Sequence, residues 1–121
     1  MNDDRFAGVN AHLGRAMELL SDRTNPDYRN SIKESISAVE SLAQVITGQP
    51  KATLGDALKV LKKGERLHPA LSDGFSKLYG YTSDEDGVRH AMLEEPTLTV
   101  ADAKYFLLAC TSFINYLKAL I

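Results

Sequence analysis

The 121-residue sequence predicts an all-α fold, a single helical bundle of four to five main helices, and three observations carry that prediction. Apolar residues recur at spacings of three and four in each long periodic stretch. No stretch alternates apolar with polar residues, as a half-buried strand would. The stretches are separated by Asn-Pro, Gly-Gln-Pro and Gly, residues that stop or restart helices.

The first helix covers residues 6–20, with Phe6, Val9, Leu13, Ala16, Met17 and Leu20 on one face. Gly8 and Gly14 each weaken it by about 1 kcal/mol relative to Ala. Asn25-Pro26 reads as an N-cap followed by proline in the first turn of the second helix. That helix carries Tyr28, Ile32, Ile36, Val39, Leu42, Ala43 and Ile46 as a stripe and ends at Gly48. Thr53 can cap a third helix with Leu54, Ala57, Leu58 and Leu61 inward and Lys59, Lys62, Lys63 and Arg66 outward. A fourth helix starts near Pro69, is expected to bury Leu71, Phe75 and Leu78, and stops near Gly80.

Residues 81–95 read as a loop with room for one helical turn capped by Ser83, acidic at Asp84, Glu85 and Asp86, that contains the pair Arg89-His90 and is closed by Pro96. The last helix opens with Thr99 and Asp102 at capping-box spacing. It continues through Phe106, Leu107, Leu108, Cys110, Phe113, Ile114, Leu117, Leu120 and Ile121. Apolar residues cover most of its circumference, so it forms either the centre of the bundle or one side of a subunit interface.

Composition narrows the function. With 44% hydrophobic residues the chain is a soluble globular domain over residues 1–121, long enough to fold on its own core. Fourteen basic against 16 acidic residues leave a net charge of −2, which offers no overall attraction to nucleic acid or anionic lipid. A single cysteine excludes an internal disulfide and fits a reducing cytoplasm. No apolar run approaches the ~18 residues of a membrane span, and no signal peptide opens the chain. Phosphate loops, paired-cysteine zinc spacing, HExxH and GxSxG are all missing, and no two of His12, His68 and His90 have helical ligand spacing. No cofactor and no metal are expected.

Candidate binding groups are then few. Lys59, Lys62, Lys63 and Arg66 could track a phosphate backbone, although lysines opposite a leucine stripe are what a solvated helix face shows. Arg29 and Lys33, with Glu34 and Glu40, could line a polar pocket at the start of the second helix; structural ion pairing is the plainer reading. Arg89 and His90 lie in the one long irregular segment, where a guanidinium could clamp a phosphate and an imidazole could move a proton near neutral pH.

The strings DYRNSIKESISAVESLAQVITG, TLGDALKVL and HPALSDGFSKLYGYTSDEDGVRHAM, with the tail FINYLKAL, resemble the HEPN-like C-terminal domain of bacterial abortive-infection-type proteins. The resemblance implies a helical bundle in phage defence or stress response. It also implies homodimerisation, RNA or a nucleotide-like anion as ligand, and a fused N-terminal domain. Metal-independent ribonucleases of that superfamily carry an Arg followed, after four to six residues, by a His. Arg89 stands at the place of that Arg, but Glu94, Glu95 and Pro96 stand where the His would be. His90 is adjacent to Arg89 instead, so the resemblance implies at most a degenerate ribonuclease with Arg89 and His90 as its catalytic remnant and Arg29, Lys33 and Tyr81 as binding residues. Arg5 and His12 have the right separation but lie in the first helix, outside the pattern. The rival expectation is a non-catalytic dimerisation or protein-interaction module, marked by an exposed apolar face on the last helix.

Overall fold

The computed structural model of the chain describes residues 4–83 and 98–121, and each regular element among them is helical. A short 3-10 turn, Asp4–Phe6, leads into α1 (Ala7–Ser21). Next come α2 (Tyr28–Thr47), α3 (Leu54–Lys63), α4 (Pro69–Ser83) and α5 (Val100–Lys118). The all-α bundle expected from the periodicity is what forms.

Local hydrogen bonds fix the helix ends. Thr53 and Thr99 each close a full capping box, with Asp56 and Asp102 respectively. The start of α2 differs from the sequence expectation. Asp22 Oδ1 accepts the N–H groups of Thr24 and Asn25, which holds Asn25 in a turn. Asp27 therefore becomes the cap, accepting the Asn30 N–H, and Pro26 precedes the helix instead of opening it. His68 plays a similar part before α4, its Nδ1 accepting the Ala70 N–H at 3.0 Å.

The C-terminal ends of α2 and α3 solve the same problem unequally. Gly48 takes the left-handed conformation after α2 (φ 71°) without steric penalty, and its N–H reaches the Gln44 carbonyl. After α3 the left-handed position is filled by Glu65 (φ 57°). There the N–H groups of Glu65 and Arg66 bond back to the carbonyls of Lys62 and Leu61, the Schellman pattern without its usual glycine.

The core lies between α2 and α5, with α1 and α3 packed on α2. Val9, Val39, Leu42, Leu54, Leu58, Leu61, Leu67, Cys110, Phe113, Ile114 and Leu117 form its main body. Ile32, Ala103 and Phe106 form a second cluster, with Leu20, Tyr28, Ile36, Leu78 and Leu98 around it. Phe6 closes one end, with the Lys118 ammonium 4.4 Å from its ring centroid. Arg66 is part of this framework, its guanidinium donating to the Leu120 carbonyl at 3.3 Å.

Several residues expected inside are outside. Met17 is 53% exposed because the stripe through Val9 and Ala16 already fills the contact with α2. On α4, Leu71 is exposed and Ser72 is buried, so the inward face is rotated from the expected one. That helix also continues past Gly80, which puts Tyr81 on its last turn instead of in a loop. On the last helix, where the sequence left a bundle centre or an interface open, Leu108 is exposed, and so is Ile121 beyond it.

Candidate functional site

The seam between α1 and α2 is closed. Gly8, His12 and Ala16 lie one helical turn apart on α1 and meet Ser41, Glu34 and Ser31 in antiparallel order on α2. A side chain at Gly8 would begin 3.6 Å from Ser41 Oγ. His12 Nδ1 lies 2.6 Å from Glu34 Oε2, and Ser31 Oγ–H donates to the Ala16 carbonyl at 2.8 Å. Small residues let the two backbones approach, and polar groups in the seam satisfy one another. Ser35 Oγ is the exception, buried with no hydrogen-bond partner among the described residues.

Among the described residues the seam between α4 and α5 is open. The two backbones stay further apart than those of α1 and α2, and aromatic rings span the gap. Phe75 stacks on Phe113 with centroids 3.9 Å apart, and Tyr81 lies parallel to Phe106 at 6.0 Å. Beneath them is an apolar void of about 20 Å³, among whose lining residues are Ile36, Val39, Phe75 and Cys110. Burial pushes the Cys110 thiol up to about 12, so the one cysteine is an unreactive core residue.

Alongside runs an apolar groove of about 440 Å³, lined by Leu71, Phe75, Leu78, Ala109, Phe113 and Tyr116 with Ser112. Its rim continues onto the outer face of α5. Leu108 is 69% exposed, Tyr105 55% and Tyr116 42%. No residue from Tyr105 to Leu117 carries a charge. Among the described residues nothing covers this apolar surface.

The polar candidates gather only in part. Arg29 is half-buried and lines a separate cleft of about 360 Å³ with Pro26, Asp27, Tyr28, Asn30 and Leu98. Hydrogen bonds from Asn30 hold the Asp27 carboxyl below the usual carboxylate range, and the Arg29 charge adds to the effect. Lys33, one turn further along α2, is exposed. The acids expected beside them are engaged elsewhere, Glu34 with His12 and Glu40 as acceptor for the Tyr79 hydroxyl at 3.0 Å. Tyr81 packs on Phe106, which belongs to the same cluster as Tyr28, so it stands at the same end of the bundle as Arg29. Arg89 and His90 lie outside the described residues.

Lys59, Lys62, Lys63 and Arg66 are all exposed. Arg66, however, is committed to the Leu120 carbonyl. Among the described residues no three His, Cys, Asp or Glu side chains come together in a way that could hold a metal ion. No helix among them is long and apolar enough to cross a membrane.

Compared with known proteins, the chain matches no protein-family model, no curated protein and no solved structure.

Proposed function

We propose that this domain is a self-association module whose α4–α5 face pairs with a second copy of the chain. The observation that supports this reading best is the exposed apolar surface formed by Leu71, Tyr105, Leu108 and Tyr116 around the open groove. Two such faces can bury one another without desolvating a charge, because this side of α5 has none between Tyr105 and Leu117. The module would bring together whatever effector the chain is joined to.

Sedimentation velocity tests this reading. The unaltered chain should sediment as a dimer. Leu108→Glu places a carboxylate in the centre of the face and should weaken association at least about 100-fold, through the desolvation of an unpaired charge. The helical circular dichroism should not change, since Leu108 supports no core contact. Val60→Glu, also at an exposed apolar position but on α3, should leave the dimer intact. A monomeric unaltered chain would mean that other residues of the same chain, or a different protein, cover the face.

A second reading retains RNA or a nucleotide-like anion as ligand, in line with the resemblance to HEPN domains of phage-defence proteins. The cleft beside Arg29 favours it, with Lys33 one turn away and Tyr81 at the same end of the bundle. In that case Arg29→Ala and Arg89→Ala should each reduce the retention of a labelled RNA oligonucleotide without loss of helicity. Equal retention by all variants would remove this reading.

A further inference from the structure

Helix α4 is weak in sequence and lightly held in the bundle. Gly74 and Gly80 stand beside Ser72, Ser76, Thr82 and Ser83 within its fifteen residues, all poorer helix formers than alanine. Its backbone lies closer to that of α3 than to those of α2 and α5. Among the described residues its C-terminal part is held chiefly by rings and one tether: Phe75 stacks on Phe113, Tyr81 lies against Phe106, and the Tyr79 hydroxyl donates to Glu40. Beneath them is the apolar void, so this part of α4 rests on the core without filling it.

The N-terminal approach to the helix is anchored differently. Arg66 donates to the Leu120 carbonyl, Leu67 is buried in the main core, and Ser72 is buried one turn into α4. Gly74 follows directly after these anchors. We propose that α4 is a hinged flap: from Gly74 to Ser83 it unwinds and lifts away while α1, α2, α3 and α5 stay folded, and its opening controls access to the apolar core between α2 and α5. Elements that open this way come from the least stable part of a fold, and the two glycines place α4 there. A methyl group at Gly74 or Gly80 would meet nothing within 4 Å among the described residues, so neither glycine is there to make room for a neighbour. The flap is a property of one chain and does not depend on the self-association reading.

Cys110 reports the opening, because it lines the void under α4. While the flap is closed its thiol is shielded and pushed up to about 12, so a thiol reagent reacts with it through the open state. The labelling rate is followed in the Leu108→Glu chain, in which no second copy covers α4. The reagent is kept in the range where rate is proportional to its concentration, so that the rate measures the open population. Gly74→Ala and Gly80→Ala should each slow labelling about fivefold, by favouring the wound helix. Tyr79→Phe removes the tether to Glu40 and should speed it about fivefold.

Ser31→Ala separates local opening from unfolding of the whole chain. It loosens the α1–α2 seam and shifts the global unfolding equilibrium by a similar factor, yet it touches nothing that α4 leaves behind, so the labelling rate should not change. A rate that rises with Ser31→Ala as much as with Tyr79→Phe would overturn the proposal, because Cys110 would then be reached only when the entire bundle unfolds. Labelling indifferent to Gly74→Ala and Gly80→Ala would overturn it too, by showing that α4 does not unwind on the way to Cys110. Sedimentation of the unaltered chain decides the self-association reading separately.

Discussion

The α1–α2 seam and the α4–α5 seam are built from similar residues and end in opposite states. Gly8, Ala16, Ser31 and Ser41 are small, and they let α1 sit against α2 with its polar groups paired across the contact. Ala109 and Ser112 are as small, yet they face an open groove, and among the described residues it is chiefly the rings of Phe75 on Phe113 and Tyr116, and of Tyr81 on Phe106, that join α4 to α5. The difference lies in whether a complementary surface exists within the chain. On the closed side Gly8 and Ala16 each meet a serine of α2, Ser41 and Ser31, with His12 and Glu34 paired between them. On the open side no such surface lies among the described residues.

The comparison can be broken most readily by truncating one large residue on each side. These measurements belong in the Leu108→Glu background, where association adds nothing to stability. Leu42, fully buried between α1 and α5, should lose about 2–5 kcal/mol on Leu42→Ala in urea denaturation. Leu71→Ala, on the open rim, should change stability by less than about 0.5 kcal/mol. Similar losses at both sites would show that the open face is part of the monomer's core.

A finer test uses the two serines of the closed seam. Ser31→Ala removes a buried hydrogen bond and should destabilise by about 1 kcal/mol. Ser35→Ala removes a hydroxyl that has no partner, so it should be neutral or stabilising by up to about 1 kcal/mol. Equal losses would mean that Ser35 has a hydrogen bond in solution, such as one to a trapped water.

A smaller effect is expected where the closed half holds its one strained residue. Glu65→Gly relieves the left-handed backbone after α3 and should raise the thermal midpoint, by about 0.5–1 kcal/mol in stability. The smallest effect concerns acid. The Asp27 carboxyl is depressed in the folded state by its bonds from Asn30, so its contribution is present above the unfolded value near about 3.9 and is lost as pH falls through the folded value. Asp27→Asn, which still caps α2, should flatten that part of the acid-denaturation curve and leave stability at neutral pH little changed.

Much of the fold was legible because its signals are local. Thr53 with Asp56, Thr99 with Asp102, Gly48, and the leucine stripe of α3 all depend on residues within one or two turns. Asn25 misled because it competes with Asp27 two positions on, and Asp22 settles the competition by taking the Asn25 N–H. Met17 and Leu71 misled for a different reason. Periodicity tells which face of a helix is apolar, but not whether another helix lies on it. The pairs His12–Glu34 and Tyr79–Glu40 join residues 22 and 39 positions apart, and no local pattern announces them. Of the candidate site, the apolar excess of the last helix was readable, whereas which of its residues faces outward depended on where α4 came to rest.

The central claim, that the α4–α5 face is buried by a second copy while the α1–α2 seam is complete within one chain, is tested most directly by a dilution series followed by two-dimensional NMR. On dilution, signals of Leu71, Tyr105, Leu108, Ser112 and Tyr116 should move together with a single dissociation constant, while those of Ala16, Ser31 and Leu42 stay fixed. Signals that do not move at any concentration in a chain tumbling as a monomer, or movements concentrated on α1 and α2, would contradict it.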